Sequence, residues 1–268
     1  MLIKDIKSTS KKMLKNNMAP LMLGVCLILL ITLILSLCEY IIRVITDIKA
    51  YDSFAFLHGA FSFSNIFSII ILILNFMIQY AIISPLILGI WRCLYLSVRN
   101  NNIQIRELFY FYSSVKLFFR SFFLRLNLFI RQFLYLLILF LPAITLSFLM
   151  SDYAAEFFKY NLSTFASAIL MFAAAVLWIC AAIIYVIIIL RYSFTCIIAA
   201  SDDKININQS VKLSINRTNG YKFCIFKFTL SFIGWFLLCI FIFPLIYVLP
   251  YYLEGIAVLE HQSVNGNK

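Results

Sequence analysis

The chain has 268 residues, 64% of them hydrophobic and 12% charged, with a mean hydropathy of +0.99. A water-soluble domain carries about 25% charged residues, so a soluble enzyme is excluded and a bilayer is the solvent that suits this composition. The formal charge is nonetheless +11, and seven Gly and five Pro argue against disordered linkers and Gly-rich phosphate loops.

The first 18 residues set Ile3, Ile6, Met13 and Leu14 among five lysines, the pattern of a short amphipathic helix lying on a membrane surface. Crossing about 30 Å of hydrocarbon takes roughly 20 mostly apolar residues in a helix. Pro20–Ile42 meets this requirement with no charge before Glu39, and it is too long for a signal-peptide core. A second span runs from about Ile66 to Trp91, ending on an aromatic residue suited to the headgroup boundary. Residues 92–131 are basic. From Ile103 they mix aromatics with spaced Arg and Lys, as in an interfacial helix whose Arg120, Arg125 and Arg131 snorkel outward. The third span is Gln132–Met150, with Pro142 inside it. The fourth, Phe165–Leu190, carries Ala173, Ala174, Ala175, Ala181 and Ala182, which let a neighbouring helix approach closely. Residues 191–220 are basic again, and Asn206–Asn219 reads as a helix with Asn206 or Asn208 as cap and Gly220 as stop.

The end of the chain admits two readings. Either Tyr221–Phe243 and Leu245–Gln262 form a hairpin turned at Pro244, or Thr229–Leu249 crosses once and an interfacial segment follows. The hairpin places Glu254 inside a marginally long last span, at a cost of about 2.5–3.5 kcal/mol if it is ionised at mid-bilayer. Hydropathy alone leaves five and six spans both open.

Charge sets the expected orientation. Residues 1–18, 39–65, 92–131, 151–163, 191–227 and 251–268 carry net charges of +4, −1, +6, −1, +4 and −1, which account for the whole +11. Lys and Arg in short loops stay on the cytoplasmic side, so the N-terminus and the segments 92–131 and 191–220 are expected inside, attracted to anionic lipid headgroups. Basic charge divided among three separate loops argues against nucleic acid as the partner.

Chemistry-bearing patterns are scarce. The seven cysteines include no CxxC pair, and His58 and His261 stand far apart with no HExxH. No GxSxG, P-loop or dinucleotide fingerprint occurs. No catalytic, cofactor-binding or metal-ligating residue is therefore assigned. The candidate polar residues within spans are Asn75 and Gln79, four apart on one helical face, and Glu254. Asn75 and Gln79 suit either hydrogen bonding between helices or the lining of a polar path. Glu254 suits either pairing with an internal base or reaching the interface.

From Arg191 onward, RYSF, SDDKININQSVKLS, NGYKFCIFKFTLSFIGWFLL and LPYY resemble the bacterial integral membrane family catalogued as domain of unknown function 975. The matching positions are Tyr192, Ser193, Asp202, Ser210, Ser214, Gly220, Lys222, the run Ser231, Phe232, Ile233, Gly234, Trp235, and Pro250 with Tyr251. Upstream, LKNN at Leu14–Asn17, ELF at Glu107–Phe109 and LPAI at Leu141–Ile144 also fit. The family tends to have Gly at the position of Pro244, and an aromatic-rich close where this chain reads AVLEHQ. The resemblance implies an all-helical bundle with both termini inside, which favours six spans, and it implies no established activity.

The expectation is thus a single all-α polytopic membrane domain over residues 1–268, in a bacterial cytoplasmic membrane. It is not expected to be an enzyme. An accessory, immunity-type or scaffold component is expected, packing with a membrane-protein partner or a second copy of itself. The alternative is a small transporter or channel component with a polar path at Asn75 and Gln79.

Overall fold

A computed structural model describes residues 3–45, 63–100, 103–150 and 164–266, and every regular element among them is helical. Most of the two weakly acidic loops, together with His58, lies outside the described residues. Helix α1 (Ile3–Asn16) leads into α2 (Met18–Ile45), which runs beside α3 (Phe63–Asn100). A 3-10 segment, Ile105–Tyr112, packs back on α3 before α4 (Val115–Leu149), which pairs along its length with α5 (Thr164–Leu190). Four short helices follow: α6 (Thr195–Ser201), α7 (Ile207–Thr218), α8 (Lys222–Leu230) and α9 (Ile233–Leu238). The chain closes on α10 (Ile242–Gly266).

Among the described residues, five stretches are long and apolar enough to cross a membrane: Met18–Ile42, Ile69–Arg99, Val115–Leu149, Ala166–Ser201 and Phe243–Asn265. Helix α3 holds Pro85 in its interior and extends well past Trp91. Helix α4 starts at Val115, so the stretch read as an interfacial helix is a 3-10 turn followed by the first part of a spanning-length helix. The expected α7 forms with Asn206 ahead of it, and the Asn206 backbone N–H donates to Gln209 Oε1 at 3.2 Å. Gly220, at φ +86°, takes the left-handed conformation that ends this region and that side chains disfavour.

The late apolar stretch is neither one continuous helix over Thr229–Leu249 nor a hairpin turned at Pro244. Helical continuity breaks at Ser231–Phe232 and again at Cys239–Phe241. Pro244 lies in the first turn of α10, where a missing N–H costs no helical hydrogen bond. Helices α8 and α9 return along α10 through aromatic contacts. Phe228 stacks on Tyr252 at 5.8 Å between ring centroids, Phe232 meets Tyr251 at 5.0 Å, and Phe236 meets Tyr252 at 5.4 Å.

Packing is uneven along the long helices. At one end, the basic end, the core is dense. It takes Leu14 from α1, Leu21 from α2, Leu94 from α3, Phe111 from the 3-10 segment, Phe194 beside α6 and Phe232 beside α8. Toward the other end, α2, α3, α4 and α5 expose large apolar side chains such as Leu33, Leu74, Ile138 and Phe172. Helix α1 belongs to the dense base. Its apolar stripe, Ile6, Ser10 and Leu14 at four-residue spacing, is buried chiefly against α10 instead of being laid on a membrane surface.

Candidate functional site

Polar side chains gather in three places. The first joins α2 to α3: Asn75 Nδ2 donates to Glu39 on α2, and Gln79 Nε2 donates to Asn75 Oδ1 at 3.2 Å. The four-residue spacing read from the sequence therefore aligns the two amides with each other and with a carboxylate. That arrangement fastens two apolar helices, for about 0.6 kcal/mol per contact in a membrane.

The second lies where the ends of α1 and α2 meet α3 and α10. Asn17 Nδ2 donates to Ser97 Oγ at 3.2 Å, and Ser97 Oγ donates to Glu254 Oε1 at 2.7 Å. Glu254 is completely buried, and its Oε2 has no hydrogen-bond partner among the described residues. Among the described residues it is tied to Ser97 and not to a base. Two turns further along α10, Glu260 is also buried. It receives a hydrogen bond from Arg217 on α7 and has Arg99 Nη2 of α3 at 3.9 Å. Glu260 was not singled out from the sequence because it was counted with an acidic tail. The continued apolar run Ile256–Leu259 is the signal that α10 keeps going through it.

The third is the densest, and no local sequence pattern announces it. Arg120 does not snorkel outward. Its Nη1 donates to Asp203 Oδ1 at 3.1 Å, and its Nη2 reaches the carbonyls of Ala199, Asp202 and Ile205 at 3.2, 2.7 and 3.0 Å. One guanidinium thus caps the C-terminal end of α6 and its following loop, where unpaired carbonyls collect. Tyr110 also donates to Asp203, and that bond, aided by burial, holds its hydroxyl above the ordinary tyrosine range. Arg92 lies 3.6 Å over the Tyr110 ring, pairs with Glu107 at 2.7 Å and reaches the Ala200 carbonyl at 3.5 Å. Arg131 likewise turns to protein, donating to Asn127 Oδ1 at 2.7 Å and Asn208 Oδ1 at 3.2 Å.

The positions that carried the family resemblance are partly brought together. Lys7 Nζ of α1 donates to the Ser231 carbonyl at 3.1 Å and sits 4.7 Å above the Phe232 ring, while Tyr251 OH donates to the Lys7 carbonyl at 3.2 Å. Ser231, Phe232, Pro250 and Tyr251 thereby form one junction around α1. Ser193, Ser210 and Ser214 bond to nearby backbone, with Ser214 Oγ reaching the Arg191 carbonyl at 2.9 Å. Tyr192 is buried. Asp202 accepts the Lys204 N–H at 2.9 Å, and Lys222 begins α8. Gly234 and Trp235 face outward and join none of these clusters.

Chemically, the clusters match donors to acceptors across helices distant in sequence. Among the described residues the seven cysteines are all free, and no group of three His, Cys, Asp or Glu is placed to hold a metal ion.

A family model described as "Protein of unknown function (DUF975)" matches residues 1–258 of this chain. No curated protein and no solved structure matches it.

Proposed function

Because the chain belongs to the DUF975 family over nearly its whole length, a family with no assigned activity, we propose a function from geometry. It is a non-enzymatic accessory or scaffold component of a bacterial cytoplasmic membrane, with the basic base and both termini on the inner side. In this reading α8 and α9 together make a sixth crossing, antiparallel to α10. The base is held at anionic headgroups by its surplus of Lys and Arg. The exposed apolar arms are free to pack with a partner membrane protein or a second copy.

One observation carries this reading: four arginines of the base, Arg92, Arg99, Arg120 and Arg217, are tied to Glu107, Glu260 and Asp203 on other elements, while the arms stay open. Such ties support a rigid platform. The transporter alternative draws its support from the chain Glu39–Asn75–Gln79, which a permeation path would need as a lining. The experiment compares proteoliposomes of the wild-type chain with those of the Asn75→Leu, Gln79→Leu double variant. A scaffold leaves proton and potassium leak at the level of empty vesicles in both. Wild-type vesicles that leak, with the leak abolished in the variant, would establish the path and overturn the scaffold.

A further inference from the structure

We propose that the fork between α3 and α4 is a binding site for one anionic phospholipid, its phosphate on Arg125 and an acyl chain in the crevice beyond. This rests on the membrane placement above but not on the scaffold role.

Arg125 differs from Arg92, Arg99, Arg120 and Arg131, and shares with Arg191 a buried Nε that has no hydrogen-bond partner. Arg92 has Glu107, Arg99 has Glu260 and Arg120 has Asp203, and Arg131 has two amide oxygens. Arg125 has no carboxylate partner among the described residues. Its Nε is buried without a hydrogen-bond partner, and the guanidinium's hydrogen bonds go to two neutral groups, the Tyr80 hydroxyl and the Cys196 thiol. A buried cationic N–H without an acceptor is costly, and a guanidinium fork fits phosphate oxygens two at a time.

Arg125 lines a cavity of about 180 Å³ together with Gln79, Tyr80 and Ser84. Gln79 gives one amide hydrogen to Asn75 and keeps a second for a ligand. The neighbouring crevice, again about 180 Å³, is apolar and is lined by Leu72, Ile73, Met77, Leu126 and Phe129, with Phe76 and Tyr80 shared between the two. Tyr80 packs on Phe122 at 5.9 Å and on Phe129 at 6.3 Å, which closes the floor of the fork. Helix α3 approaches the base as its numbering rises and α4 leaves it. Residues 72–77 and 126–129 therefore lie farther from the base than Arg125 and Ser84. A cationic, polar pocket at the base continued by an apolar crevice toward the bilayer middle has the polarity order of a lipid standing in the inner leaflet.

The test uses the full chain in detergent micelles and a phosphatidylglycerol bearing a diazirine in its acyl chain. Expected are adducts concentrated in residues 69–83 and 126–133, and a fall of about tenfold in their yield in Arg125→Gln, the scale of one lost charge-assisted contact. Arg125→Lys should retain most of the yield, Arg131→Gln should leave it unchanged, and Met77→Trp should lower it by filling the crevice. Excess phosphatidylglycerol should compete, whereas phosphatidylcholine or inorganic phosphate at equal concentration should not. Adducts spread evenly over exposed helix faces, or an unchanged yield in Arg125→Gln, would overturn the site. Full competition by inorganic phosphate would overturn the lipid as its occupant. If Arg125→Gln fails to fold, the wild-type adduct map and Met77→Trp decide alone. Vesicle leak, the readout for the scaffold, is independent of every one of these outcomes.

Discussion

The base and the arms of this molecule are made from the same long helices and stabilised in different ways. In the base, α3 is covered by α2, α6, α10 and the 3-10 segment, and side chains such as Cys93 and Leu94 are wholly buried. In the arms the same helix shows Ile73 and Leu74 on its surface, and Phe172 on α5 is 73% exposed. Lipid is as apolar as these side chains, so burying them gains little, and contacts in the arms reduce to packing and a few hydrogen bonds. In the proposed membrane placement the base sits where water, headgroups and unpaired helix ends meet. There it must satisfy backbone carbonyls and charges. The contrast shows that specificity in this fold lies at the basic end.

Substitutions in the two regions sharpen or break that contrast, and the largest effect is expected at Arg120. Arg120→Met takes from Asp203 its cation, leaving it the Tyr110 hydrogen bond, and removes a donor from three carbonyls, with a loss of about 3 kcal/mol in unfolding free energy measured by denaturant titration in detergent. A change below 0.5 kcal/mol would show that the hub is not a structural centre.

Close approach at two glycines comes next. A Cβ at Gly89 would stand 1.9 Å from the Leu108 carbonyl oxygen, and one at Gly255 would stand 2.0 Å from Phe228 Cζ. Both alanine variants should lose about 1–3 kcal/mol. A second substitution, Phe228→Leu, should recover part of the loss for Gly255→Ala. Nothing equivalent exists for Gly89→Ala, because its obstacle is backbone.

A smaller, pH-dependent effect is expected at Tyr110, whose hydroxyl is held above its ordinary range by donating to Asp203. A raised acid group stabilises the fold below its unfolded pKa of about 10 and loses that contribution as pH rises through its folded value. Melting temperature should thus fall more steeply as pH rises above about 10 in the wild type than in Tyr110→Phe. Parallel curves would dissolve the link between Tyr110 and Asp203. Smallest of all, Ile138→Ala and Phe172→Ala in the arms should change stability by about 0.5 kcal/mol or less.

The arms were legible in the sequence and the base was not. Met18–Ile45 and Thr164–Leu190 read directly as long helices because their apolar character is continuous. The start of α4 was hidden because Arg120, Arg125 and Arg131 interrupt hydropathy. What keeps the helix going there is a set of acceptors some 80 residues away at Ala199, Asp202, Asp203 and Ile205, which no local pattern encodes. Asn75 and Gln79 were visible as a pair by their spacing, but their partner Glu39 sits on another helix. Glu254 was found by its position in an apolar run, while its acceptor role toward Ser97 depends on how α3 and α10 cross. Breaks at Ser231–Phe232 and Cys239–Phe241 went unseen since no glycine or proline stands at either.

The contact between α1 and α10 has a consequence for assembly. Lys7 is tied to Ser231 and Tyr251, 224 and 244 positions later, so α1 is completed only by helices far along the chain. Ile6 and Leu14 are covered chiefly by α10, and contacts of such separation form late. A chain in which α10 has not docked leaves that stripe bare, so the burial of α1 reads out whether the distant helices have come together.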